Sequence, residues 1–326
     1  MTMTSATPVG DPALATPATS QPAVPAHELN PVLRGPVLVA LHGRESTIAP
    51  ITFGSRLAER LNVALRVVTV VEPPQMYGAP PGMGMTPLSS AFDFTPIQEE
   101  IVKRSLRDAH VEERCTLDIR HGEPTREIRL LAEEVNATFI IVAAAPHRRL
   151  RHDVAGIFAS QVLRNAPCPV LSLSLDASTL PNTIVAGIDF SPSSIRSAQA
   201  ALLVLDDNGT LILAHAPAPP SAQHVHGASR ARYVADVADA FSRVRDELRA
   251  CAPPSITIET GHLEGRVAPA LLGLAEFVGA DMVTVGSHSH NIVERFFVGS
   301  VASTILHAAS CTVLASPPPP AAHPHD

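Results

Sequence analysis

Three landmarks recur along this chain at one interval. Gly122 and Gly265, Gly156 and Gly299, and Cys168 and Cys311 are each 143 residues apart. A single register through three pairs implies two copies of one fold, because the interval has the length of an ordinary domain, ~100–150 residues. The 326-residue chain has room for two such copies and for a tail at either end.

The copies share an order of elements. Each opens on an apolar strand that ends in a polar turn, PVLVALHGRES in the first half and TIVAGIDFSPSS in the second. An Ala/Leu-rich helical pattern follows (ITFGSRLAERLN, IRSAQAALLVLDD), then a second strand (ALRVVTVVE, TLILAHA), a Pro-rich loop and a long amphipathic helix. A third strand and another helix lead to TFIIVAAA and DMVTVGSH, and a last helix and short strand close each copy. The strands are continuous apolar runs, not alternating ones, and helices separate most of them. That is the pattern of parallel strands covered on both faces. The expected fold class is therefore α/β, two tandem doubly wound domains, each a mainly parallel five-stranded sheet with helices on both faces. The domains are placed at residues 35–175 and 183–316, with 176–182 as the linker. The Pro/Ala-rich stretches 1–34 and 317–326 are expected to be disordered, since they bury too little apolar surface to offset the entropy of ordering.

Composition narrows the function. Hydrophobic residues make up 45% of the chain but aromatics only 4%, without any Trp, so both cores must be aliphatic. The formal net charge is −7 and no Lys/Arg-rich block occurs, which argues against a nucleic-acid partner. The four cysteines form no CxxC pair or dense framework; buried structural thiols are the expectation for Cys168 and Cys311. The first residues have neither a basic n-region nor an apolar h-region, and no apolar run reaches the ~18 residues of a membrane span. A cytoplasmic protein without a membrane partner is expected.

The chemistry-bearing stretch is VGSHSHNIVERFFVGS, residues 285–300. Gly286, Ser289, Gly299 and Ser300 fall on the pattern strand-G-x2-G-x9-G-[ST], with Ser289 in place of the second glycine. A strand ending at Asp189 begins the same half. With the closing Cys-Pro-Val-like strand, these features resemble the universal stress protein family along nearly the whole second half. The first half resembles the family more weakly, through HGEP, the FIIV strand and APCPVLSLS. The resemblance implies an adenine nucleotide alpha hydrolase-like fold and a ligand such as ATP or another adenine nucleotide, with or without Mg2+. It places Gly187 and Asp189 by the adenosine and Ala216 against the base. Val285, Gly286, Ser289, Gly299, Ser300 and Val301 would surround the ribose and phosphates. It further implies that the closing strands of the two halves pair in an intramolecular pseudo-dimer. Self-association beyond that is compatible with the sequence but is not read from it.

Elementary chemistry gives the same residues two readings. In open α/β sheets ligands bind at the carboxyl ends of the strands, where Asp189 and Gly286 both lie. Gly286 would let backbone N–H groups approach a phosphate, and Ser300 as the N-cap of the last helix would leave orphan N–H groups for an anion. The plainer readings are that Asp189 caps the following helix and that the glycines shape turns. Ser289 adds a Cβ and disfavours positive φ, so weakened binding is expected. In the first half His42 stands at the Asp189 position, and Ala143, Pro146, Gly156 and Ile157 stand at the motif positions. Pro146 offers no N–H and Ile157 no hydroxyl, so no nucleotide is expected there. The pairs His224/His226 and His288/His290 lack neighbouring cysteines and read as solvated loop residues rather than metal ligands. No catalytic residue is assigned. The expectation is a stress-response regulator that binds an adenine nucleotide in its second half and acts through protein partners. Its rivals are a nucleotide-free interaction scaffold and a slow ATPase.

Overall fold

The computed structural model describes residues 35–41, 48–72, 94–143, 154–174, 176–217, 228–287 and 299–317. The first half contains β1 (Val37–Leu41), α1 (Ile48–Leu61), β2 (Leu65–Val71), α2 (Thr95–Asp108), β3 (Cys115–His121), α3 (Pro124–Glu134), β4 (Phe139–Ala143), α4 (Val154–Asn165) and β5 (Val170–Leu173). The second repeats the order with β6 (Thr183–Gly187), α5 (Pro192–Val204), β7 (Thr210–His215), α6 (Ala228–Cys251), β8 (Thr257–His262), α7 (Val267–Val278), β9 (Met282–Gly286), α8 (Ser300–Ala308) and β10 (Thr312–Ser316). The expected tails, apart from Pro317, lie outside the described residues.

All ten strands join one sheet in the order β3-β2-β1-β4-β5-β10-β9-β6-β7-β8. Every neighbouring pair is parallel except β5 and β10. Strand order reverses between β1 and β4 in the first half and between β6 and β9 in the second, which makes two doubly wound units within a mainly parallel sheet. The antiparallel step has an informative register. Leu171 faces Leu314, with Ser172 against Val313 and Val170 against Ala315. Leu171 and Leu314 are themselves 143 residues apart, so the pair lies on the axis that exchanges the two copies. The contact is isologous, as in a twofold dimer, although one chain supplies both sides.

Helices cover both faces because the strands are apolar on both. Along β1, Val37, Val39 and Leu41 enter a core lined by α1, α2, α5 and α6, while Leu38 and Ala40 enter the opposite one, under α3, α4, α7 and α8. Among the described residues Phe53 and Phe139 are the largest wholly buried side chains, and Leu, Ile, Val and Ala fill most of the remaining space. Helix α6 shows how the sequence sets the face. Tyr233, Val237, Phe241, Val244 and Leu248 recur at helical spacing and meet the first core, while the residues between them are mainly exposed. The end of the inter-domain stretch is tied down by Asp281, whose Oδ2 accepts from the N–H groups of Asn182 and Thr183 at 2.8 and 3.0 Å. Among the described residues no helix is long and apolar enough to cross a membrane.

Candidate functional site

The carboxyl ends of β6, β7 and β9 gather the expected residues at one edge. Gly187 ends β6, Asp189 follows two residues later, Ala216 comes just after β7, Gly286 ends β9, and Ser300 begins α8. Backbone hydrogen bonds hold these ends together. The N–H of Ser287 donates to Ser316 O at 2.9 Å, and that of Gly299 donates to Ser287 O at 2.6 Å. The second bond brings the start of α8 back beside the end of β9, so the two ends of the motif stretch meet. Ser289 lies outside the described residues, as do the two His-x-His pairs, His42 and Pro146.

The glycines have packing reasons of their own. A Cβ on Gly187 would come within 2.8 Å of Leu271 Cδ1 on α7. A Cβ on Gly286 would meet the first turn of α5, with Ser193 Oγ at 2.7 Å and Ser194 N at 2.8 Å. That turn can come so close because α5 presents a face of small residues, Ser193, Ser197 and Ala201, all buried. Ser197 Oγ donates to Val285 O at 2.8 Å and shares a 2.6 Å hydrogen bond with Thr284 Oγ1, pinning α5 to β9. On that face of the sheet, the space left by the missing side chain of Gly286 holds a helix. Val285 is buried, Val301 is half-buried against the α7–α8 core, and Ala216 is buried.

Two local expectations are corrected. Ser300 is not the N-cap of α8. Gly299 occupies that position with φ −55° and ψ 148°, and Ser300 is the first helical residue. Its backbone N–H thus belongs to the open first turn, as a Gly N-cap allows. Asp189 does not cap α5 either. Ser191 does, accepting from Ser194 N at 3.2 Å, while Asp189 Oδ1 accepts from Ser191 N at 3.0 Å and fixes the turn before it. In the first half α4 begins at Val154, so Gly156 is inside the helix rather than at its cap, and Ile157 is exposed at 46%.

One part of the edge was not anticipated from sequence. His215, at the end of β7, is buried beside Ala216. Its Nδ1 lies 2.7 Å from Ile188 O and its Nε2 lies 3.1 Å from the hydroxyl of Tyr233 on α6. A carbonyl only accepts, so Nδ1 carries the proton and Nε2 accepts from Tyr233. The ring stacks obliquely on Phe190 at 4.8 Å, and Phe190 meets Phe241 edge-on at 5.3 Å. Phe190 holds φ +62°, a conformation unusual for a bulky residue. Burial lowers the His215 pKa; the hydrogen bond to Ile188 O opposes that shift, nearby His262 adds to it, and Asp189 opposes it. The result is a wall of rings that ties the β6–α5 turn, carrying Asp189, to β7 and α6. Only Phe190 adjoins Asp189 in sequence, so the one visible signal was a polar ring ending an apolar strand.

The repeat has relatives that span both copies. The model of the universal stress protein family matches residues 34–173 and again 181–317. Universal stress protein Rv2005c of Mycobacterium tuberculosis is 23% identical over 299 residues, covering 85% of this chain and 95% of the relative. The crystal structure of a universal stress protein from Archaeoglobus fulgidus superposes with a TM-score of 0.57 at 16% identity, covering 85% of this chain and 95% of that one. A universal stress protein crystallised in complex with cAMP is 26% identical over 41% of this chain and 95% of its own, with a TM-score of 0.31. With both halves matched and the ten strands arranged as two doubly wound units, the chain belongs to the universal stress protein family as a tandem of two copies.

Proposed function

We propose that this chain is a stress-response regulator whose second half, residues 183–316, binds one adenine nucleotide at the ends of β6, β7 and β9, while the first half, 35–175, is its nucleotide-free partner across the linker 176–182. The observation that carries the reading is the closure of the motif stretch by Gly299 N–H on Ser287 O. It sets the open first turn of α8, with the N–H groups of Ser300 and Val301, beside the end of β9, which pairs with β6, the strand that leads to Asp189. Orphan N–H groups at a helix start suit phosphate, and a carboxylate two residues past a strand suits ribose or the adenine amine. Asp189 already holds the turn through one oxygen, so its position is fixed before a ligand arrives. The contrast between halves supports assigning the site to the second: Gly299 is the N-cap of α8, whereas α4 begins at Val154 and has Gly156 inside it.

Nucleotide held by residues on both sides of the 285–300 stretch would change the surface that this stretch offers to a protein partner. The isologous β5–β10 pairing favours reading the chain as a pseudo-dimer with one working site. ATP or another adenine nucleotide, with or without Mg2+, fits the edge. Any hydrolysis is expected to be slow, since the chemistry assigned to the edge is binding. ATP binding by the intact chain, compared with Asp189→Ala, tests the reading. Asp189→Ala should weaken binding at least tenfold; equal binding by the two proteins would overturn the assignment of Asp189.

A further inference from the structure

Helix α7 is odd when set against its own duplicate. The 143-residue register places Arg126, Arg129, Glu133 and Glu134 of α3 against Pro269, Leu272, Glu276 and Phe277 of α7. On α3 these are charged and paired, with Arg129 Nη1 reaching Glu133 at 2.6 Å and Arg120 reaching Glu134 at 2.5 Å. The fold therefore tolerates a charged outer face at this helix. On α7 three of these four positions are apolar, and Phe277 is 85% exposed. Pro269 and Gly273 lie exposed along it.

The two charges left on that face have the wrong sign for their own helix. Arg266 occupies the N-cap, where its counterpart Glu123 caps α3 with two side-chain hydrogen bonds. A cation at a helix start opposes the macrodipole, as does Glu276 in the last turn. Glu276 has also lost the intrahelical partner that Arg129 gives Glu133, because Leu272 stands there. Among the described residues neither Arg266 nor Glu276 makes an ion pair. From Gly273, helical spacing puts Arg266, Pro269, Glu276 and Phe277 within one stripe.

We propose that this stripe is the docking surface for a second copy of the chain, through an antiparallel α7–α7 pair about a twofold axis near its middle. Each Arg266 then lies at the carboxyl end of the partner helix beside its Glu276, and each Glu276 lies at the partner's amino end. Both misplaced charges become favourable by one symmetry operation, and Phe277 is covered by the apolar stretch around Pro269 and Gly273. A partner of other sequence would have to supply both charges separately, whereas a second copy supplies them by symmetry.

The test is sedimentation equilibrium of the intact chain over a wide concentration range. The wild type should associate to dimers. Phe277→Glu, which restores the first-half residue, should raise the dimer Kd at least tenfold. Arg266→Glu and Glu276→Arg should each weaken the dimer, and the double exchange should recover most of the loss. Circular dichroism on each variant separates lost pairing from lost folding, and the double exchange remains decisive should Phe277→Glu fold poorly. A wild type that is monomeric throughout would overturn the proposal, as would a dimer that Phe277→Glu and the charge exchanges leave unchanged.

Discussion

At the scale of residues, two glycines that look like ligand contacts, Gly187 and Gly286, have close packing neighbours. Gly286 is the clearest case: a Cβ there would press on the backbone of Ser194 at 2.8 Å, which cannot move without shifting α5. Gly286→Ala is therefore expected to destabilise the protein by about 1–3 kcal/mol, an overpacking cost measurable by urea denaturation. A variant as stable as the wild type would show that α5 yields freely. His215 gives a pH signature. Its folded pKa is lowered from 6.5 by burial, so the unfolded chain binds the proton first. Its contribution is fully present above the unfolded value and is lost as pH falls through about 6.5 toward the lower folded value. Thermal melts from pH 8 to 5 should show this loss, and His215→Asn should flatten the slope while lowering stability at neutral pH. Cys168 is the quiet counterpart, its thiol pushed up to about 12 by burial. Thiol reagents at pH 7 should leave it unlabelled in the native state and label it on unfolding.

At the scale of elements, the alternation of apolar runs with helical patterns was enough to place each of the described strands along the chain, though not to give the order in which they pair. Continuous Val/Ile/Leu runs have few other uses, and the 143-residue register carries the assignment from one half to the other. Contacts set by distant partners were not legible. Asp189 was open between ligand and cap because both uses place a carboxylate after a strand; the structure gives the cap to Ser191, three residues before the N–H it accepts from. His215 was missed because Ile188 and Tyr233, which fix it, are 27 and 18 residues away. The reason for Gly286 lay in α5, where a spacing of small residues says nothing by itself about which strand they touch. The β5–β10 seam carries its own prediction. Leu171 and Leu314 face each other and are wholly buried, so Leu171→Ala and Leu314→Ala should each cost about 2–5 kcal/mol. Their effects should not add, because the two side chains share one site. Strict additivity in a double-mutant cycle would contradict the paired geometry.

At the scale of the whole molecule, duplication has placed two copies in one sheet and let them diverge. The seam resembles a twofold dimer, yet the halves are not equivalent. The second keeps Gly299 as the cap of α8, while α4 in the first runs past Gly156. On the proposed reading, this asymmetry leaves one half to bind and the other to serve as a fixed platform. The exposed face of α7 is likewise confined to one half. The central claim is a single nucleotide site in the second half, and calorimetric titration of the nucleotide-free chain with ATP tests it most directly, beside Gly299→Val. Gly299 has a negative φ, so valine fits the backbone there while crowding the approach to the first turn of α8. Saturable binding near one equivalent per chain, lost in the folded variant, is the predicted result. No binding by the folded wild type, or binding that Gly299→Val leaves intact, would contradict it.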